Sequence, residues 1–316
     1  LFARTAEEIL IYTIETLRSE TGAFYTAEDA DSDGEEGLFY LWTEMELKAI
    51  LGQEDAKLFM DQYNIRTKGN FRDESTGQYT GGNIPHLTQL PPAFAKEINQ
   101  EIEGVNQRLK TIRQKLFEHR EKRNRPLMDD KILTDWNGLM IAALAMAGRV
   151  LNKTEYIEMA ERCSNFITAG LGESDRLFKC HRNGVSRYHG LLDDYSFLTW
   201  GLIELYKATG KEDYLKDVVK YTDSILREFL DPDQGGFFMT PADGEKLFIR
   251  SKVYYDGAIP SGNSIAALNL LNLWKFTGEL KYREIAEKIF KSKGLEIKSN
   301  PSAYCQLLQI FELLKK

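Results

Sequence analysis

Three stretches of this chain follow one pattern: DWNGLMIAALAMAGRVLNKTEY (135–156), DDYSFLTWGLIELYKATGKEDY (193–214) and SGNSIAALNLLNLWKFTGELKY (261–282). Each opens on a short polar residue, runs apolar for about four helical turns, breaks, and reaches a tyrosine at the same offset: Tyr156, Tyr214 and Tyr282. Two of the breaks hold glycine, Gly210 and Gly278; the first holds Asn152 and Lys153. Recurrence at a fixed period means stacked supersecondary units.

The two arms of each unit differ. Leu139–Ala147, Phe197–Tyr206 and Ile265–Trp274 carry almost no polar stripe, and a helix that is apolar all round must be buried on every face. In the second arms, Tyr156, Met159, Ala160, Cys163, Phe166 and Ile167 fall at helical spacing, with charged residues between them. Tyr214, Val218, Thr222, Ile225 and Phe229 repeat the pattern, as do Tyr282, Ile285, Ala286, Ile289 and Phe290. These are one-sided helices facing a core. Each unit is therefore a helical hairpin, and hairpins set in a ring give an all-α toroid with an inner barrel wrapped by an outer one. An open solenoid would not bury its inner helices so completely.

A short aromatic-glycine segment follows the outer arm at Gly235–Phe238 and, more weakly, at Arg176–Phe178. The same element at Gly22–Tyr25 follows a one-sided helix over Thr5–Ser19. That helix reads as an outer arm whose inner partner precedes residue 1, so the toroid is expected to be incomplete at the N-terminus of this chain, a piece of a longer protein. Short β-hairpins are expected near Phe24–Tyr25, Phe39–Tyr40 and Phe237–Phe238.

All 316 residues fit one toroid domain. An inserted region interrupts the repeat at about 43–92: two short helices at Thr43–Leu51 and Glu54–Tyr63, then a Gly/Asn/Thr-rich loop through Pro92. Ile98, Ile102, Val105, Leu109, Ile112 and Leu116 step by fours and threes, the seam of one long packed helix. The net charge of −7 and the absence of a long basic run argue against a nucleic-acid partner. The Lys115–Arg125 stretch reads as a solvated helix end. No stretch reaches the roughly 18 apolar residues of a membrane span, so no membrane partner is expected. Cys163, Cys180 and Cys305 are odd in number and far apart, which points to a reducing, cytoplasmic setting.

In a ring of hairpins, the loops leading into the inner helices line one mouth. Here they carry Asp130; Asp135, Trp136 and Asn137; His189, Asp193, Asp194 and Tyr195; Asp256, Ser261 and Asn263. Carboxylates for proton transfer beside rings that stack on sugar faces suit carbohydrate chemistry. Asp135, Asp193 and Ser261 recur in register before a helix, where N-caps sit, so capping is their expected role. Capping does not account for Asp194, Asp256 and Asp130, which are the candidate acid/base groups. Trp136 and Tyr195 are candidate stacking platforms or core plugs; Asn137, His189, Ser261 and Asn263 are candidate substrate-binding residues.

The six candidates Asp130, Trp136, Asp194, Tyr195, Asp256 and Asn263 are expected to converge on one mouth. Glu28, Asp29 and Asp31, on an acidic hairpin tip, should project over it. That tip imitates the start of a calcium loop but places Tyr40 where the last ligand, a glutamate, belongs. His86, His119, His181 and His189 show no paired spacing, and Cys180-His181 lacks further zinc ligands. No metal or cofactor is expected, and neither a phosphate-binding Gly-rich loop nor a nucleophile elbow is present.

GAFYTAEDADS (22–32), EEGLFYLWT (35–43), DDKILTDWNGLMIAALA (129–145), LLDDYSFL (191–198) and YDGAIPSGN (255–263) together resemble the YyaL-type family, which includes a mammalian spermatogenesis-associated protein. The resemblance covers nearly the whole chain. It implies a C-terminal (α/α)6 toroid similar to six-hairpin glycosidases and N-acylglucosamine 2-epimerases, joined to an upstream thioredoxin-like domain absent from this chain. A carbohydrate-active or carbohydrate-binding toroid, hydrolase-like if an enzyme, is the leading expectation, with a carbohydrate ligand as partner. One alternative is a non-catalytic scaffold presenting substrates to the thioredoxin-like domain. Another is a sugar 2-epimerase-like isomerase, disfavoured because epimerases of this fold use inner-helix histidines and only His189 lies near the mouth. A relict fold with an inert pocket is a further reading.

Overall fold

The computed structural model describes residues 2–73 and 76–314. They divide into two compact units: residues 2–27 with 130–314, and the described residues between 28 and 129.

The first unit contributes α1 (Phe2–Thr16). The second unit holds α2 (Glu44–Leu51), α3 (Gln53–Gln62), α4 (Pro91–Glu97) and α5 (Ile102–Arg120). The Thr43 hydroxyl caps α2 by accepting from the Glu46 N–H at 3.2 Å. Trp42, Leu47, Phe59, Phe94, Val105, Leu109, Ile112 and Leu116 form the core of this unit. Two expectations change here. The seam is carried by two helices, because the backbone breaks at Asn99 with a φ of 54° and α5 starts only at Ile102. Leu38–Tyr40 is a 3-10 turn rather than a strand, and the β-pairing falls one step earlier, between Asp31–Ser32 and Glu35–Glu36.

The hairpins occupy the rest of the first unit: α6 (Thr134–Leu151) with α7 (Thr154–Gly170), α8 (Leu192–Thr209) with α9 (Glu212–Glu228), and α10 (Gly262–Thr277) with α11 (Leu280–Ser292). A short α12 (Gly294–Ser299) leads to α13 (Cys305–Leu314), which packs on α10. The inner arms α6, α8, α10 and α13 lie side by side in that order, and α7, α9 and α11 each cover their own partner. This is an all-α fold of toroid type, built from helical hairpins.

All three hairpin breaks are left-handed C-caps: Asn152 at φ 56°, Gly210 at 69° and Gly278 at 75°. Asparagine tolerates that conformation better than other side chains, so the first break does the work of the two glycines.

Helices α8 and α10 are buried around almost their whole circumference for most of their length, as expected. Helix α6 is not. It packs chiefly against α8 and α7, and leaves Trp136, Ala143, Met146 and Val150 exposed along one stripe. The aromatic-glycine segments at Phe24 and Phe237 form single antiparallel bridges, to Arg18 and Leu230. The strongest β element is the third segment: Arg176–Arg182 pairs with Val185–His189 on one side and with Ile132–Leu133 on the other. Among the described residues no helix is long and apolar enough to cross a membrane.

Candidate functional site

Asn137, Tyr195 and Asn263 occupy the same register in the three inner helices, and each ties its helix to a preceding aromatic-glycine segment. Asn137 Oδ1 accepts from the Phe24 N–H at 2.8 Å, and its amide donates to the Phe24 and Leu133 carbonyls at 3.0 and 2.8 Å. Asn263 repeats this with Phe237, accepting at 2.7 Å and donating to Phe237 and Val253 at 2.9 Å each. In the middle repeat the Tyr195 hydroxyl accepts from the Leu177 N–H at 3.0 Å. All three side chains are buried, so their hydrogen-bonding capacity is spent on the backbone.

The capping expectation holds for Ser261, whose Oγ accepts from the Ser264 N–H at 3.2 Å. It fails for Asp135 and Asp193. Helices α6 and α8 start one residue earlier, at Thr134 and Leu192, with Leu133 and Leu191 in the N-cap position. Asp194 supplies the missing cap for both helices: its Oδ2 accepts from the Leu191 N–H at 2.7 Å and its Oδ1 from the Asp135 N–H at 3.1 Å.

This leaves Asp135 and Asp193 for another use. The Lys179 ammonium, rising from the central strand, donates to Asp135 Oδ2 at 2.5 Å and reaches Asp194 Oδ1 at 3.4 Å. Burial works against this ammonium, but Asp194 and Asp135 outweigh it and hold its pKa above the ordinary lysine value. Asp194 is fully buried; burial and then the Asp135 charge push its pKa up, against Lys179 and two backbone N–H groups. Asp193 sits over the Gly262 backbone at the start of α10, whose N–H favours its charged form, and its buried Oδ1 makes no hydrogen bond of full geometry. Burial, followed by the Asp135 charge, pushes its pKa up to about 6. Three carboxyls and one ammonium thus hold a proton near neutrality at the start of the inner helices.

The other predicted residues make no hydrogen bond to Lys179 and have partners of their own. Asp256 Oδ1 accepts from the Ser261 N–H at 2.9 Å, and its Oδ2 from the Gln306 and Leu307 N–H groups at 2.9 and 3.1 Å. It clamps the starts of α10 and α13, as Asp194 clamps those of α6 and α8. Asp130 pairs with Arg182 at 2.5 Å beside a separate cavity. His189 is exposed and its ring stacks on Phe178, centroids 6.1 Å apart. Trp136 stays 43% exposed on the first turn of α6.

Glu28, Asp29 and Asp31 belong to the second unit. There Glu28 accepts from the Tyr40 hydroxyl and from Arg125, both at 3.1 Å, and Asp29 accepts from the Asp31 N–H at 3.1 Å. Among the described residues no group of three or more His, Cys, Asp or Glu is arranged to hold a metal ion.

No family model matches the chain. Over 305 residues, 88% of this chain, it is 32% identical to spermatogenesis-associated protein 20 of mouse, and equally to that of human. The chain is homologous to spermatogenesis-associated protein 20. It spans 39% of the length of these relatives. Among solved structures it is similar to a GH76 alpha-mannanase of Bacteroides thetaiotaomicron, 18% identical, TM-score 0.46, covering 55% of this chain and 48% of that one. It is also similar to the cellobiose 2-epimerase of Bacillus thermoamylovorans, 13% identical, TM-score 0.46, covering 92% and 70%.

Lys179 had no signal in the sequence. It lies on a strand far from its partners along the chain, and only the pairing of Ile132–Leu133 with Cys180–His181 brings it to Asp135. Asp193 and Asp135 did carry a signal, their register across the repeats, but capping explained it equally well.

Proposed function

We propose that this protein is a carbohydrate-active toroid of the spermatogenesis-associated protein 20 family, with its acid–base chemistry on the first turns of α6 and α8. The observation that carries this reading is the cluster of Asp193, Asp194, Asp135 and Lys179. Of the three carboxyls, Asp193 alone has a buried oxygen that makes no hydrogen bond of full geometry, and its proton affinity is raised by burial and by Asp135, so we assign it the proton. Asp135 and Asp194 share Lys179; burial and the Asp135 charge raise the proton affinity of Asp193, and Asp194 fixes the helix starts. A carboxyl held protonated near neutrality is what departure of a sugar oxygen requires. Trp136, exposed on the same turn as Asp135, is the platform for an apolar sugar face. Cytoplasmic residence and an attached thioredoxin-like domain remain part of the proposal.

A non-catalytic scaffold is the second reading. It is favoured by the use of Asn137, Tyr195, Asn263 and Asp256 to hold backbone rather than to face a ligand. A thermal-shift screen of neutral oligosaccharides against wild type and Trp136→Ala separates the two. A saturable rise in melting temperature that Trp136→Ala weakens supports the carbohydrate reading. No shift with any sugar supports the scaffold.

A further inference from the structure

A cavity of about 330 Å³ lies in the first unit, between the turn after α1, the end of α7 and the tip of the central strand pair. Ser19, Tyr25, Asp130, Phe166, His181 and Arg182 are among its lining residues. It is separate from the Asp193 cluster, which contributes no lining residue.

The state of His181 follows from its hydrogen bonds. Its Nδ1 lies 2.9 Å from Ser186 Oγ, which lies 2.6 Å from the Gly170 carbonyl oxygen. A hydroxyl has a single proton, and two lone-pair oxygens do not approach to 2.6 Å without one between them. The Ser186 proton is therefore in the bond to Gly170, and Nδ1 must donate to Ser186. Neutral His181 then carries its lone pair on Nε2, for which the described residues supply no partner. The ring is steadied edge-on by Phe166, centroids 5.3 Å apart.

We infer that this cavity is a second binding site, for a small neutral hydroxylated molecule of monosaccharide size, with His181 Nε2 accepting a ligand hydroxyl. The volume is at the small end of ligand pockets. Asp130 and Arg182 are already paired, and the other charged carboxylate of the lining, Glu20, is exposed, so the lining leaves no free cation and disfavours an anion. What remains is hydrogen-bonding capacity of both kinds: donors on the Arg182 guanidinium and the Tyr25 hydroxyl, acceptors on Asp130 and His181. The rings of Phe166 and Tyr25 line the same cavity. This site does not depend on the Asp193 cluster being catalytic.

The test is imidazole 15N NMR of the whole chain, first without ligand and then in titrations with D-mannose and D-glucose. The free protein should show His181 as the Nδ1–H tautomer, and at least one sugar should shift its Nε2 signal saturably. Tyr25→Phe should weaken that binding about five- to tenfold, the loss of one neutral hydrogen bond. Asp193→Asn should leave it unchanged, which separates this site from the proposed catalytic cluster. An Nε2–H tautomer, no saturable shift with either sugar, or a shift produced only by inorganic phosphate or ammonium would overturn the inference.

Discussion

Gly138 of α6 and Gly201 of α8 meet where the two helices cross. A Cβ on Gly201 would stand 2.8 Å from the Gly138 carbonyl oxygen, and one on Gly138 would stand 2.4 Å from the Leu198 nitrogen and the Phe197 carbonyl carbon. Neither contact leaves room for a methyl group, and at Gly138 the obstacle is backbone, which cannot swing aside. This close approach brings the start of α6 near enough for Asp194 to cap it.

Gly138→Ala should therefore destabilise the protein by about 3 kcal/mol or more, at the upper end of overpacking costs. Gly104→Ala, with nothing near its Cβ position on the surface of α5, should instead be stabilising by several tenths of a kcal/mol. Urea denaturation of the two variants checks the contrast.

Asn137→Ala and Asn263→Ala remove equivalent ties. Each leaves a buried Phe N–H, of Phe24 or Phe237, without its acceptor. A loss of about 2–4 kcal/mol is expected in each case, with similar values for the two because the bond pattern is repeated. A near-zero cost at either position, measured by chemical denaturation, would contradict the structural role.

Asp256→Ala opens the starts of two helices at once, freeing the N–H groups of Ser261, Gln306 and Leu307. The expected cost is about 2–3 kcal/mol, the sum of two helix caps. Calorimetry should show a lowered melting temperature, while any carbohydrate bound at the Asp193 cluster keeps its affinity.

Asp193 makes stability depend on pH in a defined direction. Its folded pKa, about 6, lies above the unfolded value near 3.8, so the folded state holds the proton more tightly. Between those two values stability should fall as pH rises, by at most about 3 kcal/mol for this group, and be level above the window. Asp193→Asn should flatten that part of the curve. A variant whose stability follows the wild-type slope through the window would show that Asp193 is not buried as described.

The repeat made the hairpins legible because each inner arm is apolar and each break is marked by glycine or asparagine, residues with a positive φ. Two limits of sequence reading had physical causes. A polar residue at a helix start looks the same whether it caps its own helix, as Ser261 does, or serves a neighbouring one, as Asp194 does for α6. Periodicity also does not reveal which apolar arm lacks a neighbour, so α6 read as buried like α8 and α10. Asn137 and Asn263 looked like ligand-binding amides because hydrogen bonds to distant backbone leave no trace in local spacing.

The most direct measurement is turnover by Asp193→Asn. Wild-type protein is screened for release of reducing ends from the oligosaccharides that raise its melting temperature, and the variant is then assayed on the same substrates. Asp193→Asn should fold, melt no lower than wild type at neutral pH and still bind the sugar, but lose turnover by about two to four orders of magnitude, the contribution of a general acid. Turnover that survives in Asp193→Asn, or its absence from the wild type on every sugar it binds, would contradict Asp193 as the general acid of a carbohydrate-active toroid.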